Sequence, residues 1–391
     1  MSACKETTGL TRRGFVTAMA GLATAPALLS AALAQGPAPS SAASPNSKPA
    51  ASGGDQPAAQ PSGRRIFVQS EFAPLRTVVL TQSQMHPPDP DAFPKEQLEE
   101  ELSIMPEDTR ATLLQLLGKD QAEAMPERQK RWEAEREALK KVFEKYNVEV
   151  LRPRLLTRWE KEAGGKMGYS NSFVRDPWFV VGNMVIEGSL RFPHRRHEVL
   201  PSRDLLRREA LPAACGYVAV PQPEILPLEV DYGGPGPFLE GGDVLVLGRH
   251  IFVGNSGRAS TALGAQWLEK LMAPYGYTVE IVRLKPNFLH LDCAMSLVRE
   301  GLVLACEEAM LDGLPPILKS WERIPVTQQE AMSLGANGLP ITPKVFVTDP
   351  AFHRIGDAIA KKGITVEYVD FQISRSFGGA FRCSTQALWR E

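Results

Sequence analysis

The sequence has no excess of charge of either sign: 44 Lys and Arg side chains stand against 45 Asp and Glu, and the formal net charge is −1. This balance gives no sign of a surface that binds nucleic acid or charged membranes. Long apolar runs are also lacking after the first 34 residues, because no segment approaches the roughly 20 apolar residues that a membrane-spanning helix needs. We therefore predict no nucleic-acid partner and no stable membrane insertion.

Cysteine is scarce, with five residues in a chain of 391. Cys4 lies near the amino terminus, and Cys215, Cys293, Cys306 and Cys383 follow without the spacing of a disulfide framework. A chain of this length can also bury a core without disulfides. We predict free thiols, and pairing among the last four is the alternative if the chain is exported. No group of potential ligands has a recognisable zinc spacing, so we predict no metal and no cofactor.

The amino-terminal 64 residues are predicted to lie outside the folded domain. Arg12 and Arg13 precede a mildly apolar, Ala-rich run, so residues 1–34 are typical of a twin-arginine export signal. A short anchor helix is the alternative. Residues 35–64 are rich in Ala, Pro, Ser and Gly and predict a disordered linker. We predict a periplasmic or secreted protein that uses the twin-arginine export machinery, with its folded domain at 65–391.

Three similar segments in this domain each consist of two apolar runs around a glycine-containing turn, which predicts β-hairpins. Helical patterns lie between them, and a helical insertion is predicted at about 94–146. Similar units at long spacing favour an α/β repeat architecture. The three predicted hairpins are 179–186, 244–253 and 296–304, with turn glycines Gly182, Gly248 and Gly301.

A cysteine follows two glycines close to the end of the chain. Gly378 and Gly379 let a ligand approach the backbone near Cys383, because glycine has no side chain in the way. Free cysteine also behaves as a small apolar residue, so a terminal strand with one buried thiol is the alternative.

Polar side chains, most of them acidic, precede the first two predicted hairpins. Asn171 and Asp176 come before the first, and Glu240 and Asp243 bracket two glycines before the second. The structural alternatives are a salt bridge between Asp176 and its neighbour Arg175, and a polar turn at 240–243. Arg258 lies near a helix start, where a cation needs an anionic partner, either a substrate carboxylate or a structural acid.

His290 and Asp292 precede the third predicted hairpin. Because residues two apart share one face of a strand, we expect these two side chains to point together and Cys293 to point away. A histidine and an aspartate among apolar neighbours both need polar partners if they are buried.

The set of a cysteine, a histidine and several carboxylates predicts nucleophilic catalysis with a general acid and base. Carboxylates raise the pKa of a nearby thiol, which is unfavourable for attack on an ester or amide. They are favourable for a cationic substrate such as a guanidinium, whose planar N–H donors match carboxylates and whose charge stabilises a thiolate.

From Val68 to Glu391 the sequence resembles the guanidino-group-modifying superfamily of arginine deiminases, dimethylarginine dimethylaminohydrolases and glycine amidinotransferases. The resemblance implies a five-bladed α/β propeller, the pentein fold, with the site at its centre. It depends on these motifs in this order: Ser70-Glu71-Phe72-Ala73-Pro74-Leu75, Arg175-Asp176-Pro177, Glu240-Gly241-Gly242-Asp243-Val244, His290-Leu291-Asp292 and Gly378-Gly379-Ala380-Phe381-Arg382-Cys383.

The resemblance also implies roles for the matching residues. Cys383 is similar to the nucleophile that forms an amidino-thiol intermediate, and His290 to the general acid and then base. Glu240 resembles the carboxylate that orients this histidine. Asp176 and Asp292 resemble the carboxylates that hold the guanidinium nitrogens.

Arg258 and Arg382 resemble arginines that bind a substrate carboxylate, and Asp243 and Asn171 are further candidate substrate-binding residues. The favoured reaction is hydrolysis, with arginine or a relative as substrate. The residues that begin at Arg175 and at Ser374 look more like amidinotransferases, so amidino transfer to an amine is the alternative. A binding protein for guanidino compounds that lacks turnover is the second alternative.

Overall fold

The computed structural model describes residues 63–103, 105, 107–224 and 234–391. The predicted export signal and almost all of the predicted linker lie outside the described residues, so both stay predictions. Within the described ranges, no helix combines the length and the apolar character that crossing a membrane requires.

The strands of the described residues are β1 (Leu75–Leu80), β2 (Gln84–His86), β3 (Glu149–Leu151), β4 (Tyr169–Asn171), β5 (Trp178–Val181), β6 (Met184–Glu187), β7 (Gly216–Ala219), β8 (Val244–Leu247), β9 (His250–Asn255), β10 (Thr278–Arg283), β11 (Met295–Arg299), β12 (Leu302–Ala305), β13 (Glu322–Pro325), β14 (Leu339–Thr342), β15 (Val345–Thr348), β16 (Thr365–Tyr368) and β17 (Thr385–Arg390). The helices are α1 (Lys95–Ser103), α2 (Glu107–Leu116), α3 (Gln121–Ala124), α4 (Pro126–Lys145), α5 (Arg158–Gly164), α6 (Leu200–Ala210), α7 (Ala262–Met272), α8 (Gln328–Met332), α9 (His353–Ala360) and α10 (Gln372–Arg375). Helices α1 to α4 fall within the predicted helical insertion.

Five three-stranded sheets share one pattern, in which an antiparallel pair is extended by a parallel third strand. Four of them are β5-β6-β7, β8-β9-β10, β11-β12-β13 and β14-β15-β16. In the fifth, β17 takes the first position, and β1 and β3 take the second and third. A smaller sheet pairs β2 with β4.

The three predicted hairpins are confirmed as β5–β6, β8–β9 and β11–β12. The glycine in each turn has a positive φ, for example 61° at Gly248, a conformation that favours glycine over other residues. Two further units were not predicted. The β14–β15 turn contains Pro343 and Lys344 but no glycine, and the β17–β1 pair joins strands from opposite ends of the domain.

The antiparallel pairs form much of the core. Strands β5, β6 and β12 are buried throughout, which explains their nearly continuous apolar sequences. The third strands β7 and β16 are partly exposed at the sheet edges. Burial of the apolar side chains is the main force that stabilises this arrangement.

Candidate active site

Five buried side chains with polar or thiol groups lie directly before the first strand of each sheet. Asp176 is two residues before β5, Asp243 one residue before β8, Cys293 two before β11, Asn337 two before β14 and Cys383 two before β17. The repeated sheet pattern therefore brings five sequence-distant loops to equivalent positions. All five side chains are buried.

His290 lies between two carboxylates. Its Nε2 is 2.8 Å from Glu240 Oε2, and its Nδ1 is 3.7 Å from Asp176 Oδ1. Burial lowers the pKa of His290, but Asp176, Glu240 and Asp243 raise it more, to about 10. The imidazole is therefore protonated at neutral pH, which suits a proton donor.

Arg195 supplies a second cation to the same acids. Its Nη2 donates to Asp176 Oδ2 at 2.7 Å, and its Nη1 is 3.3 Å from Glu240 Oε2. Glu198 accepts from Arg195 as well, at 2.9 Å. Burial raises the pKa of Glu198 to about 7, although Arg195 lowers it. Arg175, the sequence neighbour that could have formed a salt bridge with Asp176, instead donates from Nε to the carbonyl oxygen of Arg382.

Cys383 is held by its backbone and surrounded by apolar side chains. Its N–H donates to Asn337 Oδ1 at 3.3 Å, and its carbonyl oxygen accepts from the N–H groups of Val174 and Arg175. The thiol belongs to an apolar cluster that includes Trp132 and Phe377. Burial raises the pKa of Cys383 well above its ordinary value, and the nearby carboxylates raise it further. The resting thiol is therefore protonated at neutral pH.

One cavity of about 810 Å³ connects these groups. Among the predicted site residues, Cys383, His290, Asp176 and Arg258 line it. Glu240 lies behind His290 and does not line the cavity. The sequence alone could not establish that these four residues share a space, because they come from four different loops.

Asp292 lies behind the thiols and pairs with an arginine. One of its oxygens accepts from Arg382 Nη1 at 3.0 Å and is 3.9 Å from Cys383 Sγ, while the other is 3.7 Å from Cys293 Sγ. The predicted strand around His290 is wrong, because Leu291–Cys293 forms a 3₁₀ turn. Cys293 consequently lines the cavity, in contrast to the prediction that its side chain points away from His290 and Asp292.

Four candidate substrate-binding residues lie outside the cavity lining, Asp292 among them, and their contacts are structural. Arg382 is 3% exposed and pairs with Glu71 and Asp292, so it has no donor turned toward the cavity. Asp243 accepts from the N–H groups of Ser260 and Leu291. Asn171 donates to Gln84 Oε1 and to the carbonyl oxygen of Arg154. Arg382, Asp243 and Asn171 are thus engaged with partners of the protein itself, and their substrate-binding roles stay predictions.

Asn337 is a positioning residue that the sequence analysis missed. Its Oδ1 accepts from the N–H groups of Arg382 and Cys383, at 3.1 and 3.3 Å, and its Nδ2 donates to the carbonyl oxygen of Asp292 at 3.3 Å. It therefore fastens the Cys383 loop to the Asp292 loop. Its place before the first strand of the fourth repeat is the signal that could have identified it.

Asp176, Glu240 and His290 offer atoms within 4.8 Å of one another, a spacing that could hold a metal ion. Arg195, however, already donates to both carboxylates. An arginine guanidinium stays charged in proteins, so it neutralises the acids that a metal would need. The geometry thus favours an arginine-filled acid cluster over a metal site.

Gly242 allows the loops of Asp176 and His290 to approach each other closely. Its N–H donates to Asp176 Oδ1, and a Cβ at this position would be 2.6 Å from that oxygen and 2.8 Å from His290 Cγ. We expect Gly242→Ala to separate the two side chains and to lower kcat/KM about 100-fold, the scale of an ångström-sized misplacement. Steady-state kinetics on a guanidino substrate would measure this.

The matched control is Gly164→Ala at the end of α5, where the nearest atom to a new Cβ is 3.8 Å away. Full activity in both variants would contradict the packing argument for Gly242.

Comparisons with known proteins agree with this geometry. Residues 189–390 match the family model described as "N,N dimethylarginine dimethylhydrolase, eukaryotic". The chain is 27% identical over 251 residues to inosamine-phosphate amidinotransferase 1 of Streptomyces griseus, covering 58% of this chain and 69% of that protein.

Two solved structures show the same fold. The SxtG amidinotransferase from Microseira wollei superposes with a TM-score of 0.67 at 20% identity, covering 83% of this chain and 97% of that chain. A mutant DDAH from Pseudomonas aeruginosa, complexed with citrulline, superposes with a TM-score of 0.56 at 16% identity, covering 80% of this chain and 99% of that chain.

The fold and the family match define an enzyme that acts on guanidino groups. The chain belongs to the guanidino-group-modifying superfamily of pentein-fold enzymes, as the resemblance of its motifs implied. Its relatives are hydrolases and amidinotransferases, and the alternative of a binding protein without turnover has no support among them.

Proposed function

We propose that this protein is a cysteine-dependent hydrolase of guanidino compounds, with Cys383 as the nucleophile. The observation that carries the proposal is that Cys383, His290 and Asp176 line one cavity. Glu240 is hydrogen-bonded to Nε2 of the His290 imidazole, behind the cavity. Attack on the carbon of a cationic group requires a nucleophile, a proton donor for the leaving group and an anion that binds the cation. The Cys383 thiol, the protonated His290 and the Asp176 carboxylate provide these three.

In the first step, Cys383 Sγ forms a bond to the guanidino carbon as one C–N bond breaks. His290 gives its proton to the leaving amine, which departs neutral. The thiol has a raised pKa in the resting site, so it releases its proton to solvent only when the substrate cation is bound beside it. Cationic substrates are therefore selected by the chemistry itself. The departed neutral amine takes up a proton from solvent and becomes ammonium.

In the second step, His290 takes a proton from water as the water oxygen bonds to the amidino carbon. The S–C bond then breaks and the thiol is regenerated. A guanidinium and water are converted to a ureido compound and ammonium. Glu240 supports this step, because its contact at 2.8 Å holds the imidazole in place.

Amidino transfer is the second candidate, with an amine replacing water in the second step. The volume of the cavity, about 810 Å³, favours it, because a bulky amine acceptor could enter beside the amidino-thiol. The relationship to the Streptomyces griseus amidinotransferase points in the same direction.

The test is to incubate the purified protein with arginine, agmatine, guanidinoacetate and methylated arginines, with and without glycine as an acceptor, and to identify the products. Citrulline with ammonia from arginine supports hydrolysis. Ornithine that appears only with the acceptor supports transfer. No product and no S-amidino adduct on Cys383 with any guanidine would overturn the proposal.

We expect Asp176→Asn to weaken substrate binding about 100-fold, since losing one partner of a desolvated ion pair costs a few kcal/mol. Binding is measured by calorimetry in a Cys383→Ser background, where turnover does not interfere. The control is Asp91→Asn, which removes an exposed partner of Lys166. Equal affinity in the Asp176→Asn and Asp91→Asn proteins would remove Asp176 from the proposed site.

We infer further that the five similar sheets are the five blades of a propeller. The shared strand pattern and the pairing of β17 with β1, which completes the fifth sheet, support this inference. An experimental structure with fewer than five such units around the cavity would refute it. Export by the twin-arginine pathway is supported by Arg12-Arg13 alone, and cell fractionation would test it.

A further inference from the structure

The active-site cavity continues well beyond the catalytic groups. It reaches the helical insertion, where its lining includes Leu98 and Leu102 of α1, Met105 between the two helices, and Leu113 of α2. Its volume of about 810 Å³ is near the upper end of the roughly 300–1,000 Å³ of pockets that hold drug-sized ligands. Free arginine is a small, unbranched molecule and would leave much of this space unfilled.

The wall of this extension is apolar and continuous with the nucleophile. Cys383 belongs to a cluster of buried side chains with Phe173 and Phe377, and Leu113 packs against that cluster. An apolar surface therefore runs from the sulfur atom to α2. A ligand whose reacting carbon lies at the sulfur would place its remaining atoms along this surface.

Three further arginines line the cavity and bind neighbouring side chains. Arg128 binds the Ser376 hydroxyl and lies 5.4 Å from the centre of the Phe377 ring, although its buried Nε has no hydrogen-bond partner. Arg375 pairs with Asp349 at 2.9 Å, and Arg131 donates to Gln372 Oε1 at 3.3 Å. These contacts occupy part of each guanidinium, and the apolar side chains of Leu98, Leu102 and Leu113 form another part of the lining.

We propose that the substrate carries its guanidino group on a bulky apolar body, and that the α1–α2 wall binds this body. The inference rests on the proposed function, because it places the guanidino carbon at Cys383. Burying a charged amino-acid end against Leu98, Leu102 and Leu113 would be costly, whereas burying hydrocarbon there is favourable. The wall therefore acts as the specificity-determining surface.

The test uses a series of n-alkylguanidines from ethyl to octyl, with hydroxylamine present as a small acceptor. Released ammonia and alkylamine are both measured, so either second step is detected. We expect kcat/KM to rise about fourfold per added methylene, since each buried methylene contributes about 0.8 kcal/mol. Hexylguanidine should then be a better substrate than arginine.

Leu113→Asp should remove most of this gain by placing a charge on the wall. The matched control is Leu114→Asp, because Leu114 is the next residue of α2 and is 53% exposed. Leu113→Ala is the second variant, for the case in which Leu113→Asp does not fold, and thermal unfolding is used to verify its folding. It should partly reduce the increase of kcat/KM with alkyl chain length.

Turnover that does not depend on chain length, or equal slopes in the Leu113→Ala and unmodified proteins, would overturn this inference while leaving the proposed function intact. Absence of any product or cysteine adduct across the whole series would instead refute the proposed function.

Discussion

Replacing Cys383 with serine should reduce turnover about 10⁴-fold or more, to the limit of detection, while substrate still binds. Serine keeps the size of the side chain but loses the nucleophilic sulfur, and removal of a covalent nucleophile typically causes losses of this scale. The carboxylate of Asp176 and the imidazole of His290 stay in the cavity, so affinity for the guanidinium is retained. Product assays and calorimetry on one preparation measure both quantities.

The control is Cys215→Ser, because Cys215 is half-buried and outside the cavity lining. A haloacetamidine should modify Cys383 in the unmodified protein and leave the position unlabelled in Cys383→Ser. If Cys383→Ser still turned over at an ordinary rate, another thiol would have to be the nucleophile, and Cys293 is the thiol that shares the cavity.

Replacing Glu71 with glutamine should lower the free energy of unfolding by about 3 kcal/mol or more. Glu71 pairs with Arg382 at 3.1 Å, and both side chains are buried. Removing one partner leaves the other charge without compensation, which is strongly destabilising. Denaturant unfolding at pH 7 measures the loss.

The loss of unfolding free energy in Glu71→Gln should depend on pH. Burial raises the pKa of Glu71, but the charges of Arg382 and Arg175 lower it more, to about 2 from an ordinary 4.5. The ionised form therefore contributes stability that is fully present above pH 4.5 and is lost as the pH falls toward 2. The difference between Glu71→Gln and the unmodified protein should narrow over that range.

The comparison variant is Glu149→Gln, whose pair with Arg64 is partly exposed and should contribute less than about 1 kcal/mol. Similar losses of unfolding free energy in Glu71→Gln and Glu149→Gln would show that burial does not increase the contribution of the Glu71–Arg382 pair to stability.

The sequence predicted the parts of the fold that local chemistry determines. A glycine between two apolar runs defines a hairpin within about ten residues, so β5–β6, β8–β9 and β11–β12 were all found. The β14–β15 turn lacks that glycine, and the β17–β1 pair has no local signal at all. Patterns along the chain could therefore reveal three of the repeats directly.

The candidate site shows the same division. The motifs around Asp176, Glu240, His290 and Cys383 were identified, but their shared cavity depends on contacts between distant loops. The pairing of Arg382 with Glu71 could not be predicted for this reason, because the two residues are 311 positions apart. Arg195 was also missed, since nothing in its own sequence neighbourhood indicates that it neutralises Asp176.

The pairing of β17 with β1 has a consequence for when activity can arise. Cys383 lies two residues before β17, and the register joins Leu75 to Arg390. A growing polypeptide on the ribosome contains Asp176, Glu240 and His290 long before it contains the sulfur. With Cys383 as the proposed nucleophile, activity requires that translation has passed residue 390 and that the two distant strands have paired.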